Sequence, residues 1–111
     1  MKIQFLYSQA TGRGAEAEEA LRLAIEATGI AAEVEYIEVT DSEDAKRKRF
    51  LGSPTIRVEG VDVEYGEREP DEYQSGTRYY NSLEGWKPYP NARQIANTIL
   101  EVQQRQGAAQ N

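Results

Sequence analysis

The residues able to do chemistry here are bounded first by absence: the 111 residues include no cysteine and no histidine. A thiol nucleophile, a disulfide framework, the usual structural zinc sites and an imidazole base are thereby excluded. Two short stretches remain whose residue types suit a site. Thr11-Gly12-Arg13-Gly14 precedes an amphipathic run, so it leaves backbone N–H groups at a helix N-terminus with an arginine beside them, a place where an anion or peptide could sit. The same residues also suit a plain turn into the helix, and Gly-x-Gly without a following Lys-Ser/Thr is not a nucleotide P-loop. Ser53-Pro54-Thr55 is the second stretch, where a proline leads into a strand and shapes the turn before it. Thr11 lacks a base to activate it, and its simpler reading is an N-cap or loop hydroxyl. No residue is therefore assigned a catalytic or metal-ligating role, and no cofactor is expected.

Three further clusters have plainer readings. Lys46-Arg47-Lys48-Arg49 spreads around a helix and makes no single basic face, so it reads as a solvated surface paired with Glu43 and Asp44. Asp62, Glu64, Glu67, Glu69, Asp71 and Glu72 do not follow EF-hand spacing and read as an acidic loop. Between Tyr65 and Tyr89 the chain carries Tyr73, Tyr79, Tyr80 and Trp86 as well. Some of these must close the core, while Tyr and Trp also favour interfaces, which makes Tyr79, Trp86 and Tyr89 candidates for partner binding or dimerisation.

The elements that must position these residues follow from periodicity. Lys2 to Tyr7 alternates, with Ile3, Phe5 and Tyr7 on one face and Leu6 on the other, as in a buried strand. From Ala15, the positions Ala17, Ala20, Leu21, Ala24 and Ile25 fall at helical spacing, acids occupy the first turn, and Gly29 supplies the stop. Val34 to Val39 is a second strand whose Glu33, Glu35 and Glu38 suit a sheet edge. Thr40-Asp41-Ser42-Glu43 has the pattern of a capping box and opens a short helix to about Phe50. Thr55 to Val58 is a third strand, followed by a turn at Glu59-Gly60. Thr77 to Asn81 is the expected fourth strand, and Ala92, Ile95, Ala96, Ile99 and Val102 form the stripe of a last helix. The fold class is α/β, in the order β-α-β-α-β-β-α, with a four-stranded mixed sheet, helices on both faces, and strands one and two parallel through a right-handed crossover. One domain over 1–106 is expected, with a flexible tail at 107–111.

The balance of 19 acidic against 13 basic residues gives a net charge of -6, which disfavours a nucleic-acid partner. No apolar run approaches the roughly 20 residues of a bilayer span, and the opening residues lack a signal core, so no membrane association and a cytoplasmic location are expected.

The stretch Arg49-Phe50-Leu51-Gly52-Ser53-Pro54-Thr55-Ile56-Arg57-Val58 resembles the segment leading into the cis-proline loop of small bacterial thioredoxin-family proteins. The opening strand, the helix with Ala17, Leu21 and Ala24, the strand at Glu33-Val34-Glu35 and the segment Arg78-Tyr79-Tyr80 are similar to the same plan. The resemblance implies a thioredoxin-like fold, a cis Ser53-Pro54 bond, and a site where that loop faces the loop at the start of the first helix and presents backbone groups to extended peptides. It places Thr11 and Gly14 where relatives carry the cysteines of a Cys-x-x-Cys pair, and Thr77 where relatives often carry another. With all three absent, thiol–disulfide exchange is excluded, since a threonine hydroxyl is neither ionised at neutral pH nor capable of sulfur exchange.

The expected function is a redox-inactive binding module. A peptide or protein would be held at Thr11, Gly12, Arg13, Gly14, Ser53, Pro54 and Thr55, or the chain would self-associate as a homodimer through Tyr79, Trp86 and Tyr89. The alternative is a non-thiol, transferase-like enzyme holding an anionic thiol ligand such as glutathione at the first helix terminus and Arg13.

Overall fold

Ile3 and Phe5 point to one side of the first strand and Leu6 to the other, and this alternation sets the layers of the fold. The computed structural model describes residues 1–66, 76–82 and 85–110, side chains at 82 and 107–110 excepted. The elements are β1 (Lys2–Ser8), α1 (Ala15–Thr28), β2 (Glu33–Val39), α2 (Ser42–Lys48), β3 (Thr55–Val58), β4 (Val61–Asp62), β5 (Tyr80–Ser82), β6 (Gly85–Lys87) and α3 (Ala92–Gln110).

The main sheet is mixed and four-stranded, in the order β2-β1-β3-β4. β1 pairs parallel with β2 and antiparallel with β3, with Phe5 opposite both Tyr36 and Ile56. The glutamate-rich β2 lies at one edge, as its charges require. On one face, Ile3, Phe5, Ile56 and Val58 pack against Ala17, Leu21 and Ala24 of α1 and Ile95, Ile99 and Val102 of α3. On the other face, Leu6 and Val39 pack against Ala45 and Phe50 from α2 and the turn after it. Helices therefore cover both faces, and each fully buried Ile or Phe contributes on the order of 1.5–3 kcal/mol.

Two local expectations are corrected. The fourth strand of the sheet is Val61–Asp62, not Thr77 to Asn81. Glu59 and Gly60 both adopt positive φ, 49° and 84°, which is the geometry of a tight two-residue hairpin turn. The chain thus folds straight back onto β3 at little loop-closure cost and occupies that edge of the sheet. Tyr80–Ser82 instead pairs with Gly85–Lys87 in a separate hairpin. The start of α2 is also shifted by one residue. Asp41, not Thr40, is the N-cap and accepts the Asp44 N–H at 2.8 Å, while Asp44 Oδ2 accepts the Thr40 N–H at 3.0 Å. Asp44 is buried and also meets Lys48 at 2.8 Å and Arg47 at 3.0 Å. Asp44, at the third helical position, thus reaches back past the N-cap to the N–H of Thr40, a variant of the reciprocal bonding in a capping box.

Among the described residues, no helix is long and apolar enough to cross a membrane. Glu67, Glu69, Asp71, Glu72 and Tyr73 lie outside the described residues.

Candidate functional site

Three loops converge at the C-terminal end of β1. The loop from Gln9 to Gly14 leads into α1, and Ser8, the last residue of β1, sits below it. The Ser53-Pro54 bond is cis and leads into β3. A third segment, Gly76 to Arg78, runs alongside Ser53.

Hydroxyl groups join the first two. Thr11 Oγ1 donates to Ser53 Oγ at 2.6 Å and lies 2.8 Å from Ser8 Oγ. Thr11 has one hydroxyl proton, so with that proton on Ser53 it is Ser8 that donates to Thr11. Ser53 Oγ also accepts the backbone N–H of Ser8 at 3.0 Å. The relay runs from Ser8 through Thr11 to Ser53, a buried residue. Thr11 is accordingly not the N-cap of α1. Gly14 takes that position, with no side-chain cap, and Glu18 N–H bonds to Gly14 O at 3.1 Å.

Backbone bonds join the second and third. Ser53 N–H donates to Gly76 O at 2.7 Å, and Ser53 O accepts from Arg78 N–H at 2.9 Å. Both main-chain groups that an extended peptide would need at Ser53 are therefore taken by the chain itself. This strap is firmly anchored. Arg78 forms two hydrogen bonds of 2.7 Å with Asp62, the two side chains being 4% and 6% exposed. Arg78 also lies 4.3 Å from the Tyr80 ring and 4.9 Å from the Tyr65 ring. Asp62 additionally accepts the N–H groups of Glu64 and Tyr65 at 2.9 Å each. Tyr80 is buried, and its hydroxyl donates to the Pro54 carbonyl, which ties the β5 hairpin to the cis-proline loop.

Between the loops lies a cleft of about 230 Å3, lined by Thr11 to Ala17 on one stretch of chain and by Ser53, Pro54, Thr77, Pro88 and Tyr89 from elsewhere. Of the sequence-derived ligand residues, Thr11, Gly12, Arg13, Gly14, Ser53 and Pro54 are brought together here. Thr55 is not among them. It is fully buried, its hydroxyl donating to Gly52 O at 2.7 Å and accepting from Leu51 N–H at 3.3 Å, so it shapes the turn from within. Arg13 borders the cleft, but its guanidinium lies 4.0 Å from the Tyr36 ring centre and 5.5 Å from that of Tyr7, and it reaches Glu18 at 3.5 Å. A hydrogen bond with Tyr7, and then Glu18, raise its pKa despite some desolvation, so its charge is permanent but already engaged.

The aromatic candidates divide. Tyr89 is half-buried and lines the cleft. Tyr79 and Trp86 are 59% and 65% exposed, and Trp86 pairs with Asn81 across the hairpin. Thr77, Pro88 and Ala15 to Ala17 were absent from the sequence-derived ligand set. Thr77 carried one signal, its position among the family's cysteines, whereas Pro88 depends on where the β6 hairpin folds back and had none.

Among the described residues, no cluster of acids forms a metal site. No family model, curated protein or solved structure matches the chain.

Proposed function

We propose that this chain is a thioredoxin-like binding module whose cleft between Thr11 and the cis Ser53-Pro54 bond holds a short segment of a protein partner without covalent chemistry. The observation that carries the reading is the 2.6 Å hydrogen bond from Thr11 to Ser53, which brings together loops remote in sequence at the mouth of an open cleft. Sheet order, the cis bond and the helices on both faces support the thioredoxin-like assignment. The chain has no cysteine or histidine, and among the described residues the Ser8, Thr11 and Ser53 hydroxyls bond to one another and to backbone, which gives the cleft shape and hydrogen-bonding capacity rather than an activated nucleophile.

The relay gives the ligand a direction. Ser53 Oγ accepts two hydrogen bonds, and its own proton has no acceptor among the described residues. Together with the uncapped first turn of α1 it offers donors to a carbonyl oxygen. Main-chain strand addition at Ser53 is not the mode, because the Gly76 to Arg78 strap fills it. An anionic ligand such as glutathione is disfavoured, since Arg13 is turned to Tyr36 and Glu18 while Glu16 lines the cleft. The test is an amide-resolved NMR titration of the whole chain with mixed peptide pools and, separately, with glutathione. Shifts at Thr11, Ser53 and Tyr89 with peptides alone are expected. Saturable shifts there with glutathione alone would overturn the reading.

A further inference from the structure

The cleft does not end at Tyr89. A second, more apolar groove of about 400 Å3 lies between α1 and the start of α3, sharing Ala15, Glu16 and Tyr89 with the first. Ala20 and Ala92 border it, so nothing longer than a methyl group from those positions fills it, and Leu23, 43% exposed, stands beside them. Apolar surface of this kind gains free energy when a bulky apolar side chain covers it.

Among the described residues, the charged side chains bordering the two grooves are Arg13, Glu16 and Glu19. Arg13 is engaged by Tyr36, Tyr7 and Glu18. Glu19 is held by Arg22 through bonds of 2.5 and 3.0 Å, and Arg22 also reaches Glu26 at 2.7 Å. Glu16 sits where the grooves join and has no ion pair or hydrogen bond among the described residues. A cation arriving there meets an uncommitted carboxylate. Among the described residues that border the grooves an anion meets only the engaged Arg13, and the chain as a whole repels it with a net charge of -6.

From this juxtaposition we infer that the occupant is a segment of a partner protein in which a lysine or arginine stands beside a bulky apolar residue, the cation on Glu16 and the apolar group over Ala20, Leu23 and Ala92. The inference rests on the proposed reading of the cleft as a peptide site and names the chemistry of its ligand. A second copy of this chain fits less well, because two molecules of the same negative charge would have to meet.

The test uses the whole chain and short synthetic peptides in matched sets, each with one central Leu or Phe flanked by Lys and Arg, by Gln, or by Glu. Binding is read by fluorescence anisotropy and mapped by amide shifts. The basic set is expected to bind best, to weaken with added salt, and to shift Glu16, Ala20 and Ala92 together with Thr11 and Tyr89. Glu16→Gln is expected to weaken it by roughly 2- to 5-fold, the scale of one exposed ion pair, with an unchanged spectrum of the free protein. Equal binding of all three sets at the cleft, with Glu16→Gln silent, overturns the inference and leaves the peptide site standing. Absence of any shift at Thr11, Ser53 and Tyr89, or shifts confined to Tyr79 and Trp86, overturns both.

Discussion

Thr11 Oγ1 and Ser53 Oγ are 2.6 Å apart, and the same Ser53 oxygen accepts the N–H of Ser8 at the end of β1. The two partners of Ser53 are not equivalent. Ser53→Ala strands a buried backbone N–H and is expected to cost about 1–3 kcal/mol, whereas Thr11→Val leaves the Ser8 bond intact at an exposed position and costs about 0.5–1.5 kcal/mol. Urea unfolding of both variants measures the difference, and a larger loss for Thr11→Val would contradict the assigned relay.

Gly52 has φ of 117°, and a Cβ built there would lie 2.7 Å from the Arg78 Cβ. Gly52→Ala combines backbone strain of about 1–3 kcal/mol with a clash against the strap, so at least that loss of stability is expected. Amide shifts in the folded variant should concentrate at Gly76 to Arg78. A variant as stable as the parent would show that the strap is not seated against Gly52.

Acid should weaken the fold through Asp62 and Asp44. Burial pushes the Asp62 carboxyl up, but hydrogen bonds and charge from Arg78 outweigh it and hold the carboxyl below its ordinary value. Lys48, then the Thr40 N–H and Arg47, hold Asp44 well below the carboxylate range. A depressed folded pKa adds stability that is complete above the unfolded value of about 3.9 and disappears as pH falls through the folded value. Unfolding free energy should therefore fall below about pH 4. Asp62→Asn should flatten part of that fall and cost about 3–5 kcal/mol at neutral pH, because Arg78 is left buried without its counter-charge. Adding Arg78→Met to it should recover part of the loss, and no recovery would argue against the pair as the source.

Alkali acts through Tyr80, whose phenol is pushed far above its ordinary value chiefly by burial. The unfolded chain releases this proton near pH 10 and the folded chain keeps it, so stability should fall as pH rises beyond about 10. In a tyrosinate absorbance titration, one phenol should ionise only with unfolding, and Tyr80→Phe should abolish that late step. Ionisation of every phenol while the chain stays folded would refute the burial of Tyr80.

Trp86 is the chain's single tryptophan and is 65% exposed. In dilute solution its emission should be red-shifted and readily quenched by acrylamide. If Tyr79 and Trp86 form a homodimer face, emission should move to the blue with rising protein concentration in step with sedimentation mass. A concentration-independent spectrum would exclude that face from self-association.

How far the site could be read from the sequence depended on which forces were local. Thr11, Gly12, Arg13, Gly14, Ser53 and Pro54 are marked by turn chemistry and by resemblance, and they line one cleft. The orientations of Thr55 and Arg13, by contrast, follow from contacts that chain pattern does not carry. The Thr55 hydroxyl turns inward to the backbone groups of Gly52 and Leu51, three and four residues back. Arg13 is drawn to Tyr36, a residue of a neighbouring strand whose proximity exists only once β2 pairs with β1.

What the sequence determined by itself was the set of elements whose signal is carried by neighbours in the chain: β1, α1, β2, β3 and α3, the edge position of β2, and the exclusion of thiol chemistry by composition. The tertiary structure alone decided which segment completes the sheet, where the backbone of Ser53 finds its partners, and which carboxylate remains uncommitted in the groove. Periodicity and composition report on side chains relative to their own helix or strand. Backbone hydrogen bonds between Ser53 and Gly76, and the ion pair between Asp62 and Arg78, join residues far apart in the chain. Such partners are selected only when the loops have closed and the buried groups must all be satisfied together.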